Sequence, residues 1–145
     1  MIRPLVLLVV GLMAFAGPAN ANPVTNRAVV EALYSRVFNS KDLAVVPDLI
    51  AEGYIQHNPS IETGRDAFVA AFRGYFAAVP GLTVEVKRII AEDDLVVVHS
   101  HWRHASSERG QAVVDIFRLA DGKIVEHWDV VQPIPENAAN DNGVF

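Results

Sequence analysis

Apolar residues recur at three- and four-residue steps from Thr25 onward: Val29, Val30, Leu33, Tyr34, Val37 and Phe38. This spacing predicts a helix with one buried stripe that stops near Asn39-Ser40. Leu43, Val46, Leu49 and Ile50 predict a second, short helix, capped by Ser40 or Asp42 and bent at Pro47. Tyr54 to His57 reads as an extended segment that Pro59 ends. Thr63-Gly64-Arg65-Asp66 then resembles a capping box, and Phe68, Phe72, Tyr75, Phe76 and Val79 follow at helical spacing until Pro80-Gly81 breaks the element.

Past this third helix the period shortens to two. Leu82 to Ile90, Leu95 to His104, Gln111 to Leu119 and Ile124 to Gln132 predict four strands with polar turns between them. Helices first and consecutive strands afterwards imply an α+β domain, with the helices packed on one face of a curved antiparallel sheet.

Asp121-Gly122, between the last two strands, is a strong hairpin signal. A two-residue loop puts Asp115 opposite Trp128. A three-residue loop, Ala120-Asp121-Gly122 with Gly122 in a left-handed bulge position, puts it opposite His127, and this is the register favoured. Val113, Asp115, Phe117, Val125, His127, Asp129 and Val131 then share one face, and Val114, Ile116, Arg118, Glu126, Trp128 and Val130 the other. Arg118 and Glu126 pair diagonally on the outer face. Asp115, His127 and Asp129 are left as polar groups among aliphatics. A carboxylate and an imidazole in a partly dry pocket suit proton transfer near neutral pH. The same two groups also make a hydrogen bond that satisfies both without any chemistry.

The preceding strand aligns Val97, His99, His101 and Arg103 on one face and Val96, Val98, Ser100 and Trp102 on the other. One of His99 and His101 is expected to reach the pocket near Asp115. The His-x-His spacing is also a weak metal-pair signal, with His57, His127 or Asp115 as a third ligand. His57 ends its short strand, where it either projects into a cavity or caps the turn before Pro59. Tyr34 belongs to the apolar stripe of the first helix, and a buried phenol needs a partner, such as a pocket carboxylate or a substrate oxygen.

With 145 residues, 51% of them hydrophobic, the chain suits one domain with a substantial core. Arg3, the apolar run from Leu5 to Ala16 and the small residues of Ala19-Asn20-Ala21 read as an export signal cleaved after Ala21. The run is too short to span a bilayer. The mature protein is expected to be periplasmic or secreted, with no membrane attachment. It comprises one domain over residues 22–134 and a loose tail over residues 135–145 that is rich in Asn and Ala. The absence of cysteine excludes thiol nucleophiles and disulfides. A formal net charge of −5, with no basic cluster beyond Lys87-Arg88, argues against a nucleic-acid partner.

The order of elements, with Tyr-Ile-Gln-His-Asn-Pro at 54–59, Val-Asp-Ile-Phe-Arg at 114–118 and Glu-His-Trp-Asp at 126–129, resembles the SnoaL-like branch of the nuclear-transport-factor-2-like superfamily. The resemblance runs from about Val24 to Pro133. It implies a cone-shaped α+β barrel in which a strongly curved sheet wraps around the helices and encloses a pocket. SnoaL-type polyketide cyclases use a late-strand Asp as acid/base in a cofactor-free intramolecular aldol closure, helped by a His on the preceding strand. The resemblance puts Asp115 in the first role and His101 or His99 in the second. Ketosteroid isomerases of the superfamily use a Tyr of the first helix, an early-strand carboxylate base and a protonated late-strand Asp. Tyr34, His57 and Asp115 fall at similar places, with an imidazole where the carboxylate would stand.

The expectation is a cofactor-free acid/base enzyme of aldol-cyclase, isomerase or lyase type, acting on a small carbonyl-containing or cyclic organic substrate. Asp115, His127, His99, His101 and His57 form its catalytic set; Tyr34, Phe117, Asp129 and Phe72 form its substrate-binding set. A non-catalytic periplasmic binding module and a His/Asp metal-dependent enzyme are the alternatives. Val114, Ile116, Trp128 and Val130 on the outer sheet face predict a homodimer through that face.

Overall fold

A computed structural model describes residues 22–145; the export signal expected before them lies outside the described residues. Helix α1 (Pro23–Ala32) opens as its sequence dictates: the Asn22 side chain accepts from Val24 N, and Pro23 sits in the first turn, where its missing N–H costs nothing. The buried stripe runs on into a π-helical segment, Leu33–Asn39, that buries Leu33, Tyr34, Val37 and Phe38. The single predicted helix thus changes its winding halfway. Asp42 caps the next short turn by accepting from Ala44 N at 3.1 Å, and α2 is the single turn Val46–Leu49.

Helix α3 spans Arg65–Ala78 without the capping box its sequence suggested. Gly64, at φ 107°, takes the cap position. Thr63 is thereby displaced one residue upstream, and its hydroxyl accepts from Gln56 N at 3.2 Å instead.

The strands are β1 (Ile50–Gln56), β2 (Thr83–Glu92), β3 (Leu95–Arg103), β4 (Gln111–Ala120) and β5 (Lys123–Pro133), in the sheet order β1-β5-β4-β3-β2. The last four form the expected antiparallel meander. The extended segment before Pro59 is longer than predicted and joins β5 in parallel. Helix α3 and the meander provide the long connection that a parallel pairing requires. The sheet is therefore mixed, and it keeps two edges rather than closing into a barrel. Its inner face and the helices bury one apolar core, in which Val30, Val37, Val46, Val96, Val98 and Ile124 are fully enclosed.

The last hairpin adopts neither expected register. Asp121 (φ 51°) and Gly122 (φ 73°) form the two-residue turn with both central residues left-handed, and Ala120 pairs with Lys123. The pairing then slips: Leu119 faces Ile124, Arg118 faces Glu126, and Val125 is the extra residue of a bulge. Without it, Asp115 would lie opposite Trp128. The one-residue slip brings Asp129 opposite Asp115, and because side chains alternate it turns His127 and Asp129 onto the inner face. Ile124, not Val125, fills the core at the turn end. Arg118 and Glu126 pair as direct cross-strand neighbours rather than diagonally.

Beyond Pro133 the chain has no helix or strand. Its last residue is nonetheless held: the Phe145 ring lies 4.7 Å from the His101 ring and 5.3 Å from that of His99.

Asn39 joins helix to sheet by acting as a strand partner for β2. Its Nδ2 donates to Val84 O at 2.9 Å and its Oδ1 accepts from Val84 N at 3.0 Å. Replacing it by Ala leaves both backbone groups without that partner. Asn39→Ala is expected to lower unfolding free energy by about 1–2 kcal/mol in urea melts; a loss below about 0.5 kcal/mol would refute this joining role.

Candidate functional site

A cavity of about 550 Å³ lies between the inner face of the sheet and the helices. Phe38, Phe68, Phe72, Tyr75 and Trp102 give it aromatic walls. Much of its polar lining is a hydrogen-bonded group drawn from β4, β5, the end of β1 and the loop after it. At the centre is Asp115, only 5% exposed. An unpaired carboxylate so buried would be strongly destabilising. Tyr34 Oη donates to Asp115 Oδ2, and His127 Nε2 lies 2.9 Å from Oδ1. The other ring nitrogen of His127 is 2.8 Å from Gln56 Oε1, and the ring stacks on Phe117 at 4.9 Å between centroids.

Asp129, directly across from Asp115, repels it if both are charged. It has its own donor, Asn58 Nδ2 at 2.6 Å. Tyr34 is held well above the usual phenol range, first by burial and then by the charge of Asp115. It stays neutral and keeps the hydrogen it donates. Burial, followed by the Asp115 and Asp129 charges, likewise raises Tyr54.

Of the residues singled out from the sequence, Asp115, His127, Asp129, Phe117 and Phe72 line the cavity. Tyr34 stands behind Asp115 and holds it. His99, His101 and His57 do not reach the site. Cross-strand pairing aligns Val98 with Asp115, so Val96, Val98, Ser100 and Trp102 form the inner face of β3, and the two histidines point outward. There His99 Nδ1 meets Arg88 Nη1 at 3.0 Å and His101 Nε2 meets Arg109 O at 2.7 Å. On β1, Tyr54 and Gln56 alternate inward, which sends Ile55 and His57 out. His57 is stacked on Trp128 at 4.8 Å and bonded to Glu126 Oε1 at 2.8 Å. His57, then Arg118, holds the Glu126 carboxyl below its usual range.

The imidazole that meets Asp115 is therefore that of His127 on the following strand, rather than a His of the preceding one. The carboxylate base position of the isomerases has no counterpart in His57. Gln56 and Asn58 were missed. The alternation Tyr54-Ile55-Gln56-His57 carried the signal for Gln56, but its partner lies about seventy residues away on β5.

Among the described residues the His-x-His metal set is not assembled: His127 and Asp115 lie on the opposite face from His99 and His101, and His57, at the end of β1, is separated from β3 by β5 and β4. The inner group Asp115, His127 and Asp129 brings three potential donor atoms within 4.8 Å of one another. All three already serve protein partners: Asp115 holds Tyr34 and His127, and Asp129 holds Asn58.

A two-layer α+β arrangement around an aromatic cavity with a buried Asp defines the class as a cone-shaped fold enclosing a pocket. Residues 30–127 match the SnoaL-like domain family, and the chain belongs to it. TsrD from Streptomyces laurentii superposes with a TM-score of 0.65 at 21% identity, covering 76% of this chain and 90% of TsrD. A protein from Kribbella flavida, named as a candidate ketosteroid isomerase, gives 0.69 at 18% identity over 83% of this chain and 87% of its own. IdmH from Streptomyces antibioticus, named as a candidate polyketide cyclase, gives 0.61 at 24% identity over 73% and 91%. These likenesses establish the fold. No functionally curated protein matches the chain in sequence.

All three tyrosines are held above the usual phenol range, Tyr75 mainly by burial. The folded chain keeps phenol protons that the unfolded chain releases above about pH 10. Stability should hold up to that pH and fall beyond it, by roughly 1.4 kcal/mol per pH unit for each phenol kept neutral. Urea melts between pH 8 and 11 test this: the slope flattens in Tyr34→Phe and in Tyr54→Phe, and an unchanged slope in the double variant would refute it.

Proposed function

We propose that the protein is a cofactor-free acid/base catalyst that removes and returns a proton next to the carbonyl of a small organic substrate. The observation that carries this reading is the Asp115 carboxylate, bonded to a phenol and an imidazole, in the polar lining of an otherwise apolar cavity. In the step proposed, the C–H bond adjacent to the carbonyl breaks, its electron pair moves into the enolate, and the proton passes to an oxygen of Asp115. Asn58 Nδ2, which gives one hydrogen to Asp129, offers its second to the developing oxyanion. Reprotonation at another carbon gives isomerisation, and attack of the enolate on a second carbonyl gives aldol closure.

Among the described residues the lining holds two carboxylates and no lysine or arginine, so an anionic ligand finds no counter-charge there. The substrate class proposed is a neutral, largely apolar carbonyl compound with a planar part for the aromatic walls. One observation favours a binding module instead: both oxygens of Asp115 are satisfied by protein donors with no ligand needed.

Deuterium exchange at the carbon next to the carbonyl separates the two readings, using a panel of neutral cyclic ketones and β-diketones in D₂O. The wild type should exchange at least one bound compound, and Asp115→Asn should slow it by about 10²–10⁴-fold with affinity kept within a few-fold. Equal exchange in the variant, or binding with no exchange at all, would overturn the catalytic reading.

We also propose a homodimer through the outer sheet face. Its exposed apolar residues include Val130, 67% exposed, and Ile90, 63% exposed. Light scattering at micromolar concentration should give twice the chain mass, and Val130→Lys should halve it; a wild-type monomer would defeat the idea.

A further inference from the structure

The hydrogen bonds of Gln56 determine where the imidazole of His127 carries its hydrogen. Gln56 is the direct neighbour of His127 across the parallel β1–β5 pair. Its Oε1 accepts from the backbone N–H of Asn58 at 2.9 Å, and its Nε2 donates to Tyr54 Oη at 3.1 Å. A backbone N–H only donates, so the amide cannot be turned over: its NH₂ would then face another donor. Oε1 is therefore the atom that lies 2.8 Å from His127 Nδ1. An amide oxygen has only lone pairs to offer, and Nδ1 must carry the hydrogen.

The opposite nitrogen is then constrained as well. A neutral ring protonated at Nδ1 presents a bare lone pair at Nε2, directed at Asp115 Oδ1 2.9 Å away. Two lone pairs do not hold that contact, so one proton lies within it, formally on the imidazolium or on the carboxyl. The other groups facing the pair are the Tyr34 phenol, the Tyr54 phenol and the Asp129 carboxylate, and the phenols stay neutral.

We propose that Gln56 is a positioning residue that keeps Nδ1 of His127 protonated, so that the Asp115–His127 pair holds one exchangeable proton at the Nε2–Oδ1 contact. Such a pair takes up a proton as Asp⁻/HisH⁺ and gives one back from the same contact, with no rearrangement of heavy atoms. Its catalytic consequence rests on the acid/base reading of the site, whereas the protonation pattern itself is measurable without a substrate.

Long-range ¹H–¹⁵N correlation of the histidine rings in the full folded chain tests it. In the wild type at neutral pH, His127 Nδ1 should give a protonated-nitrogen signal. Gln56→Glu, which retains an acceptor oxygen, should preserve it, and Gln56→Leu should shift it to the unprotonated region as the hydrogen moves to Nε2. A bare Nδ1 in the wild type, or a protonated Nδ1 that survives Gln56→Leu, overturns the proposal. Should Gln56→Leu fail to fold, the wild type and Gln56→Glu decide alone. Deuterium exchange that persists while the tautomer assignment fails removes only this inference; a correct tautomer without exchange removes the catalytic reading.

Discussion

A carboxylate placed among aliphatic and aromatic side chains must be neutralised or fully hydrogen-bonded, and the architecture around Asp115 meets that demand from three directions. Tyr34 comes from the helical layer, His127 from the neighbouring strand, and Gln56 holds His127 from the strand beyond. Removing any layer would leave a buried charge without its partner. The polar group thus ties together the same elements that the apolar core packs together.

Two irregularities of the backbone make this convergence possible. The Val125 bulge shifts the last hairpin by one residue, which decides whether an imidazole or an indole shares the face of Asp115. The π-helical winding through Leu33–Asn39 buries Tyr34 toward the sheet while Asn39 is joined to the edge strand. Such departures from regular geometry often accompany functional positions, because they aim a side chain where a regular element would not.

The outer face of the sheet has a separate polar system, in which His57 stacks on Trp128 and bridges to Glu126 and Arg118. From the sequence, one of His99 and His101 was expected in the pocket, and His57 either there or capping the turn before Pro59. Alternation along β1 and β3 sends all three outward, and the less conspicuous Gln56 and Asn58 complete the inner group. Membership of the SnoaL-like family agrees with the cone-shaped fold, while the imidazole that meets Asp115 is selected by this chain's own strand pairing.

The positions of the helices, the four-strand meander and the candidacy of Asp115 were legible in the sequence, because each follows from local periodicity or from a charge out of place in an apolar strand. A cap at Ser40 or Asp42 was also legible, from local turn chemistry, and the structure gives that role to Asp42. The parallel partner of β5, the one-residue slip at Val125 and the partners of Asp115 were decided only by the tertiary structure. Those features depend on contacts between residues far apart in the chain, such as Tyr34 with Asp115 and Gln56 with His127. Alternation leaves two choices of face for every strand, and only packing against the helices selects between them.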